Sequence, residues 1–190
     1  MVQFHKALQA SYMYKDQAKN YLINDGYTLD DQLSGAESKV YYNPNKKDLL
    51  IAYRGSKNFI NDWITTDTQI PLGNLKNTKR YKKSYDVYQQ AKDKYKNNNP
   101  IIIGDSLGGS LASAVGGDDK RNRIYTFNKG AGLIGDDTNN KRNEKAYRQS
   151  GDLVSSFSLF NKHKPITLGT TKGFIESHNI NNLKTFDIEL

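Results

Sequence analysis

Cysteine is absent from this sequence of 190 residues, and tryptophan occurs once. Without cysteine the chain can form neither disulfides nor thiolate metal sites, and the redox compartment is left undetermined. No apolar run approaches the length of a membrane-spanning helix, and the opening residues Met1 to Lys6 lack the apolar segment that a signal peptide needs. We therefore expect a soluble chain without a recognisable export signal.

Acidic residues are fewer than basic ones. Lysine and arginine number 28 against 20 aspartates and glutamates, which gives a formal net charge of +8. This balance favours encounter with anionic partners, either phospholipid surfaces or nucleic acid. The basic segment from Lys76 to Lys83 would suit nucleic acid, but no helix-turn-helix, zinc or aromatic sheet motif accompanies it. We therefore predict no specific nucleic-acid binding, and we expect possible contact with anionic membranes.

The stretch from Pro100 to Gly116 has the pattern of a strand, a sharp turn and a helix. Its three consecutive isoleucines, 101–103, are typical of a strand buried on both faces of a parallel sheet. Gly104-Asp105-Ser106-Leu107-Gly108 follows at once and matches GxSxG, in which a serine lies on a strained turn between strand and helix. A flexible loop or a phosphate-binding turn is the competing interpretation, although the lysine of a P-loop is missing. The flanking strand and helix favour Ser106 as a nucleophile.

Strand and helix patterns alternate along the chain, which predicts an α/β fold with a mainly parallel central sheet flanked by helices. The length suits one domain, and we assign residues 1–190 to it. The predicted strands are 40–42, 49–53, 101–103, 124–127 and 166–169. The predicted helices are 4–23, 81–95 with a core-facing tyrosine stripe, and the segment after Ser106, whereas 137–147 has the composition of a charged helix or loop.

The turn after the second of these strands, Tyr53-Arg54-Gly55-Ser56, is a candidate for binding an oxyanion. Two backbone amides must point at the oxygen of a tetrahedral intermediate, and we assign them to Ser56 and Leu107, the residue after the nucleophile. We expect Arg54 to brace this loop through a carboxylate such as Asp62 or Asp67, and Trp63 to pack in the core. The following loop, 68–79, is either a lid or rim of the site or a plain connection.

A serine nucleophile needs a base, and histidine has a suitable pKa near neutrality. The chain has three histidines. His5 is expected to be a surface or capping residue, and His163 lies among lysines that disfavour a protonated imidazole. His178 is therefore the candidate base.

The third group of the site is an acid that orients the imidazole, and in this architecture it lies between nucleophile and base along the chain. Asp152 is favoured because Gly151 precedes it and the apolar Leu153 and Val154 follow it. Asp136 or Asp137 is the next choice. The remaining acids in this interval are Asp118, Asp119, Glu144 and Glu176.

Taken together, these motifs resemble the class 3 lipase family of α/β-hydrolases. The resemblance runs from Leu49 to His178 through YRGS with Asp62-Trp63 and Asp67, GDSLGG, GDLV and Ser177-His178. It implies a compact α/β-hydrolase fold and a serine esterase or lipase. It also implies Ser106, Asp152 and His178 as the triad, Ser56 as the first oxyanion residue, acylglycerol or phospholipid esters as substrates, and no required cofactor.

Two departures qualify the resemblance. Family members usually carry histidine where this chain has Asp105, which puts a negative charge beside the nucleophile, and the chain is short for a large lid. We therefore favour a compact esterase or phospholipase. The alternative is a catalytically weak or inactive hydrolase-fold module that binds lipid or other anionic surfaces. A GDSL hydrolase is disfavoured because Ile175 stands where that family has aspartate.

Overall fold

The computed structural model describes residues 2–56, 75–97, 99–130, 140–152, 155, 162–170 and 173–190. These residues form a seven-stranded sheet with strand order β1 to β7. The first three strands pair antiparallel, and β3 to β7 are parallel. The bounds are β1 Thr28–Leu29, β2 Ser38–Asn43, β3 Asp48–Tyr53, β4 Ile101–Asp105, β5 Arg123–Phe127, β6 Glu144–Ser150 and β7 Ile166–Thr170. The predicted mainly parallel α/β fold is confirmed.

Helices cover both faces of this sheet. Their bounds are α1 Phe4–Tyr12, α2 Lys15–Tyr21, α3 Lys79–Tyr95, α4 Ser106–Gly116 and α5 Phe174–Ser177, with 3₁₀ turns at Ile23–Asp25, Leu75–Asn77 and Ile180–Thr185. Strands β3, β4 and β5 alternate their side chains between the two faces, so that Ile101 and Ile103 pack with α1 and α2. Ile102 and Ile124 pack on the other face with α3 and α4. Apart from the partly exposed first residues Asp48 and Arg123, these three strands are buried on both faces, as is typical of a parallel sheet covered by helices.

The single helix predicted over 4–23 is wrong. Met13 and Tyr14 adopt extended backbone angles and separate α1 from α2. The apolar stripe suggests one helix because α1 and α2 each bury an apolar face. Ala7 and Leu8 lie on that of α1, and Ala18 lies on that of α2. The break matters because it leaves Tyr12 at the end of α1, where its hydroxyl reaches Asp105.

The region 137–147 also differs from its predicted character. Residues 137–139 lie outside the described part, but Glu144 begins strand β6. The strand is hard to recognise because its buried positions include the polar side chains of Arg148 and Gln149, whose hydrogen bonds replace apolar packing. The short strand β1 has no pattern in the sequence and was missed.

The tyrosine stripe of α3 is only partly a core feature. Tyr88 is buried, as predicted, but Tyr85 is 40% exposed. No helix among the described residues is long and apolar enough to cross a lipid bilayer.

Candidate active site

Ser106 lies at the sharp turn between β4 and α4, with a φ angle of 51° that side-chain-bearing residues rarely adopt. The flanking glycines make the turn possible. A Cβ atom at Gly104 would collide with the backbone of Gly108, and one at Gly108 would collide with the carbonyl oxygen of Tyr53 on β3. The GxSxG pattern is therefore required by close backbone approach between two strands and the helix.

The hydroxyl of Ser106 is buried, yet its Oγ has no hydrogen-bond partner among the described residues. A buried polar atom without a partner is uncommon and marks a candidate functional group. The carbonyl of Ser106, in contrast, accepts a hydrogen bond of 3.2 Å from the amide of Gly130, which follows β5. The backbone is thus held while the hydroxyl is left at the N-terminal end of α4, where the helix dipole favours negative charge.

Asp152 and His178 meet beyond the carboxyl end of β6. The carboxylate of Asp152 is fully buried, and its Oδ2 contacts Nδ1 of His178 in a short hydrogen bond. Its other oxygen, Oδ1, accepts hydrogen bonds from the amide and the hydroxyl of Ser155, at 2.7 Å and 3.0 Å. Both oxygens are occupied, so the carboxylate has a fixed orientation toward the imidazole.

The backbone around this pair is held by neighbouring strands. Gly151, with φ of 88°, turns the chain after β6, and Arg148 donates from Nη2 to the carbonyl of Asp152 at 3.1 Å. Asn128, in the left-handed region after β5, donates from Nδ2 to the carbonyl of Ser177 at 2.7 Å. The amide of Gln149 donates to Oδ1 of the same asparagine. Asn128 therefore ties the residue before His178 to β6.

Asp105 is buried immediately before the serine. Tyr12 donates its hydroxyl proton to Oδ2 of Asp105 at 2.5 Å, and the amide of Gly55 donates to Oδ1 at 3.3 Å and to the tyrosine oxygen at 3.1 Å. Burial raises the pKa of Asp105, while the Tyr12 hydrogen bond, the charge of His178 and the Gly55 amide oppose that rise. Asn128 donates to the carbonyl of Ser177, and Gly130 donates to the carbonyl of Ser106, so the loop after β5 holds both the segment before His178 and the GxSxG turn.

The two predicted oxyanion residues lie at the same sheet edge. Ser56 is half-buried and follows β3, and Leu107 is half-buried in the first turn of α4, where amides have no acceptor within the helix. The loop before Ser56 is anchored at its backbone. Arg54 donates its amide to the carbonyl of Glu37 at 3.0 Å, and its own carbonyl accepts a short hydrogen bond from Nη2 of Arg80.

Several residues singled out in the sequence lie outside the described residues. These are Asp62, Asp67 and Trp63, together with most of the loop 68–79 and the alternative acids Asp136 and Asp137. Another alternative acid, Glu144, forms a buried ion pair with Lys129. Asp119 pairs with Lys92 and Arg121 at the surface, and Asp118 lies 3.6 Å from Lys76.

Sequence reasoning missed four residues that position the candidate site: Tyr12, Asn128, Arg148 and Ser155. Tyr12 is 93 positions away from Asp105, and no local spacing links them. The one available signal was at Asn128, because asparagine directly after a strand is suited to the left-handed conformation that it adopts.

Comparison with solved structures finds the same architecture in lipases. The matches include a triacylglycerol lipase described as having a serine protease triad as its catalytic centre, with TM-score 0.55 and 12% identity over 80% of this chain and 70% of that chain. A Rhizomucor miehei lipase in complex with its propeptide matches with TM-score 0.54 and 16% identity over 89% and 67%. The mono- and diacylglycerol lipase of Aspergillus oryzae matches with TM-score 0.53 and 18% identity over 83% and 71%. At these identities the likeness establishes the α/β-hydrolase fold.

Fold and family together define a hydrolase of the lipase type. Residues 7–162 match the family described as phospholipase-like, Tle-like phospholipase domain, and the chain belongs to this family. The predicted class 3 lipase-like relationship is thereby confirmed. His178 lies beyond the matched residues. A search of curated protein sequences found no significant match.

Proposed function

We propose that this chain hydrolyses carboxylic esters of lipids through an acyl-enzyme. Ser106 is the nucleophile, His178 the general base, and Asp152 the acid that orients it. The observation that carries the proposal is the contact between Nδ1 of His178 and Oδ2 of the buried Asp152. Such a contact fixes the tautomer in which Nε2 can accept a proton. The triad attributed to the triacylglycerol lipase with the same fold supports the assignment.

In the proposed reaction, Oγ of Ser106 attacks the ester carbonyl carbon while Nε2 of His178 takes its proton. The amides of Ser56 and Leu107 stabilise the negative oxygen of the tetrahedral intermediate. Collapse of this intermediate breaks the bond to the alcohol, which leaves with the proton from His178. Water then attacks the acyl group, gives its proton to His178, and releases the fatty acid as Ser106 regains its proton.

The family and the net charge of +8 support the proposed substrate class. We propose acylglycerol or phospholipid esters, presented at anionic surfaces, because a basic protein is drawn to such surfaces. A specific observation favours the alternative of a weak or inactive module: Asp105 places a buried carboxyl group beside the nucleophile. The hydrogen bonds from Tyr12 and Gly55 stabilise that group without involving Ser106, and we therefore favour the enzyme.

The test is the intact mass of the protein after treatment with a fluorophosphonate probe. The wild type should gain one adduct, and Ser106→Ala and His178→Ala should gain none. Ser84→Ala, which removes the hydroxyl of another buried serine on α3, is the matched control and should be labelled like the wild type. An unlabelled wild type, with and without detergent, would overturn the proposal in favour of the binding module.

A further inference from the structure

The first two turns of α3 expose a group of cationic side chains. Lys79, Lys82 and Lys83 are all exposed, and with the 40% exposed Tyr85 they form what we call the α3 basic surface. Lys82 and Lys83 follow Lys79 by three and four positions, so each lies beside it on the surface of the helix. Asp86 is the first acidic residue of α3, and none occurs in its first turn.

This arrangement opposes the stability of the helix. Cations at a helix N-terminus interact unfavourably with the helix dipole, and like charges at i,i+3 and i,i+4 repel each other. Lys83 lies 3.3 Å from Glu37, but the lysine side chain is 68% exposed, and so exposed a pair contributes little to stability. Within the described ranges, neither Lys79 nor Lys82 has an acidic partner. A local conflict of this kind is typical of a functional surface.

The α3 basic surface lies at the edge of the sheet that carries the candidate active site. The side chain of Arg80, in the first turn of α3, donates to the carbonyl of Arg54 in the loop before Ser56. Asn97, just past the other end of α3, donates to the carbonyl of Lys47 before β3, at the opposite edge. Because side chains on a helix tilt toward its N-terminus, the three lysines project toward the edge where Ser106 lies.

Tyr85 adds an aromatic ring to this charged surface. Its ring centroid lies 6.0 Å from that of Tyr81 and 6.1 Å from that of Tyr88, so the side chain is held in a row of three tyrosines. Tyrosine is enriched at membrane interfaces because it has an apolar body and a polar tip. Lysines that surround such a ring fit an anionic surface with an apolar interior.

We propose that the α3 basic surface docks the active-site edge onto anionic phospholipid membranes. The inference rests on the proposed function, since docking at this edge would present lipid esters to Ser106. Nucleic acid could satisfy the charges alone, but it accounts neither for their place beside the candidate site nor for family membership. The membrane accounts for the charge, the tyrosine and the location together.

The test compares two charge-matched triple variants by co-sedimentation with vesicles. Lys79→Gln/Lys82→Gln/Lys83→Gln removes the α3 basic surface. Lys46→Gln/Lys96→Gln/Lys120→Gln removes three exposed lysines that precede β3, β4 and β5 at the opposite edge. Both variants lower the net charge by the same amount. Vesicles contain either phosphatidylcholine alone or phosphatidylcholine with phosphatidylserine, at low and at physiological salt.

The wild type should bind the phosphatidylserine vesicles more tightly than the neutral ones, and less tightly as salt rises. Each lysine at such a surface contributes about fivefold, so the α3 variant should lose roughly 100-fold in affinity while the opposite-edge variant loses far less. The melting temperature of the α3 variant without lipid should equal or exceed that of the wild type, because the repulsion among the three lysines is relieved. Should the α3 triple variant fold poorly, the double variant Lys82→Gln/Lys83→Gln is compared with Lys46→Gln/Lys96→Gln in the same way.

Equal losses in the two variants, no loss in either, or wild-type binding without preference for phosphatidylserine would overturn the proposal. Binding of double-stranded DNA that matches vesicle binding and depends on the same lysines would also overturn it. Hydrolysis of a water-soluble short-chain ester by the wild type is measured separately. Its absence would count against the proposed function alone, because vesicle binding is read without turnover.

Discussion

Strand β6 carries a buried carboxylate at each end, and the two have different partners. Glu144, at its start, forms an ion pair of 2.8 Å with Lys129 and accepts further hydrogen bonds from Ser113, Thr126 and the amide of Lys141. Asp152, just past its end, holds His178. Both carboxylate side chains are fully buried. Burial and ion pairing therefore do not by themselves distinguish a functional acid from a structural one.

The partner and the location make the difference. Lys129 and Glu144 lie between the sheet and α4. The ammonium of Lys129 donates to the carboxylate of Glu144 and to the hydroxyl of Ser113 on α4. Burial lowers the pKa of Lys129, and the neighbouring carboxylate of Glu144 opposes this shift. His178 has a second ring nitrogen that can accept a proton, and Asn128 ties the residue before it to the carboxyl end of β5. Substitutions at the two ends of β6 should therefore affect different properties.

The largest effect is expected for Asp152→Asn. Asparagine keeps the shape of the side chain but favours the wrong imidazole tautomer, so kcat on a soluble ester should fall by about 10²- to 10⁴-fold. The melting temperature should change little. Steady-state kinetics and thermal unfolding measure the two properties, and a variant that retains activity within threefold of the wild type would refute the role of Asp152.

Glu144→Gln should have the opposite profile. It leaves the buried ammonium of Lys129 without its counter-charge, which should lower the free energy of unfolding by about 3 kcal/mol. At temperatures where the protein is folded, kcat/KM should stay within about threefold of wild type. Urea denaturation gives the stability, and Asp31→Asn, which breaks exposed pairs with Lys15 and Lys19, serves as the control with a much smaller loss.

Tyr12→Phe tests the network around Asp105. The variant loses the hydroxyl that donates to Asp105 and accepts from Gly55, which should cost about 1 to 3 kcal/mol of stability. Displacement of the loop before Ser56 should also lower kcat roughly tenfold, less than the loss of an oxyanion donor itself. Tyr95→Phe removes a similar hydrogen bond, of 2.8 Å to Asp30. Tyr95 lies at the C-terminal end of α3, away from the candidate active site, so this variant should lower stability only. Equal kcat in both variants would contradict this role of Tyr12.

The smallest effect is expected for Asp105→Asn and depends on pH. Because burial raises the pKa of Asp105 in the folded protein, wild-type stability should fall as pH rises from the unfolded pKa, about 3.9, through the folded one. Asparagine cannot ionise and avoids this loss. The melting temperature of the variant minus that of the wild type should therefore be more positive at pH 7 than in acid. A difference that decreases with rising pH would contradict the shift.

Local sequence was sufficient to predict the GxSxG turn, strand β4 before it, and the neighbouring strands β3 and β5. Ile101 to Ile103 form a buried strand, and the glycines around Ser106 allow close approach of nearby backbone. Both features are set by consecutive residues, so the local pattern predicts them. The prediction of Asp152 relied on the glycine before it, and that residue does make the turn after β6. The contact of Asp152 with His178 agrees with the choice of both residues, whose catalytic roles stay predictions.

The remaining parts of the site arise from contacts between distant segments. Tyr12 meets Asp105 because α1 ends early, and the break at Met13 has no strong sequence signal. Glu144 was grouped with a charged helix or loop because hydropathy does not register polar side chains that are buried by hydrogen bonds. Sequence patterns identify residues with local roles, whereas positioning residues depend on tertiary structure.

The most direct test of the central claim is the rate of fluorophosphonate labelling at neutral pH in the wild type, Asp152→Asn and Glu144→Gln. We predict labelling at least about 100-fold slower in Asp152→Asn. We predict a rate within about threefold of wild type in folded Glu144→Gln, despite its lower stability. Equal slowing in the two variants, or slowing in Glu144→Gln alone, would contradict the assignment of Asp152 to catalysis and Glu144 to structure.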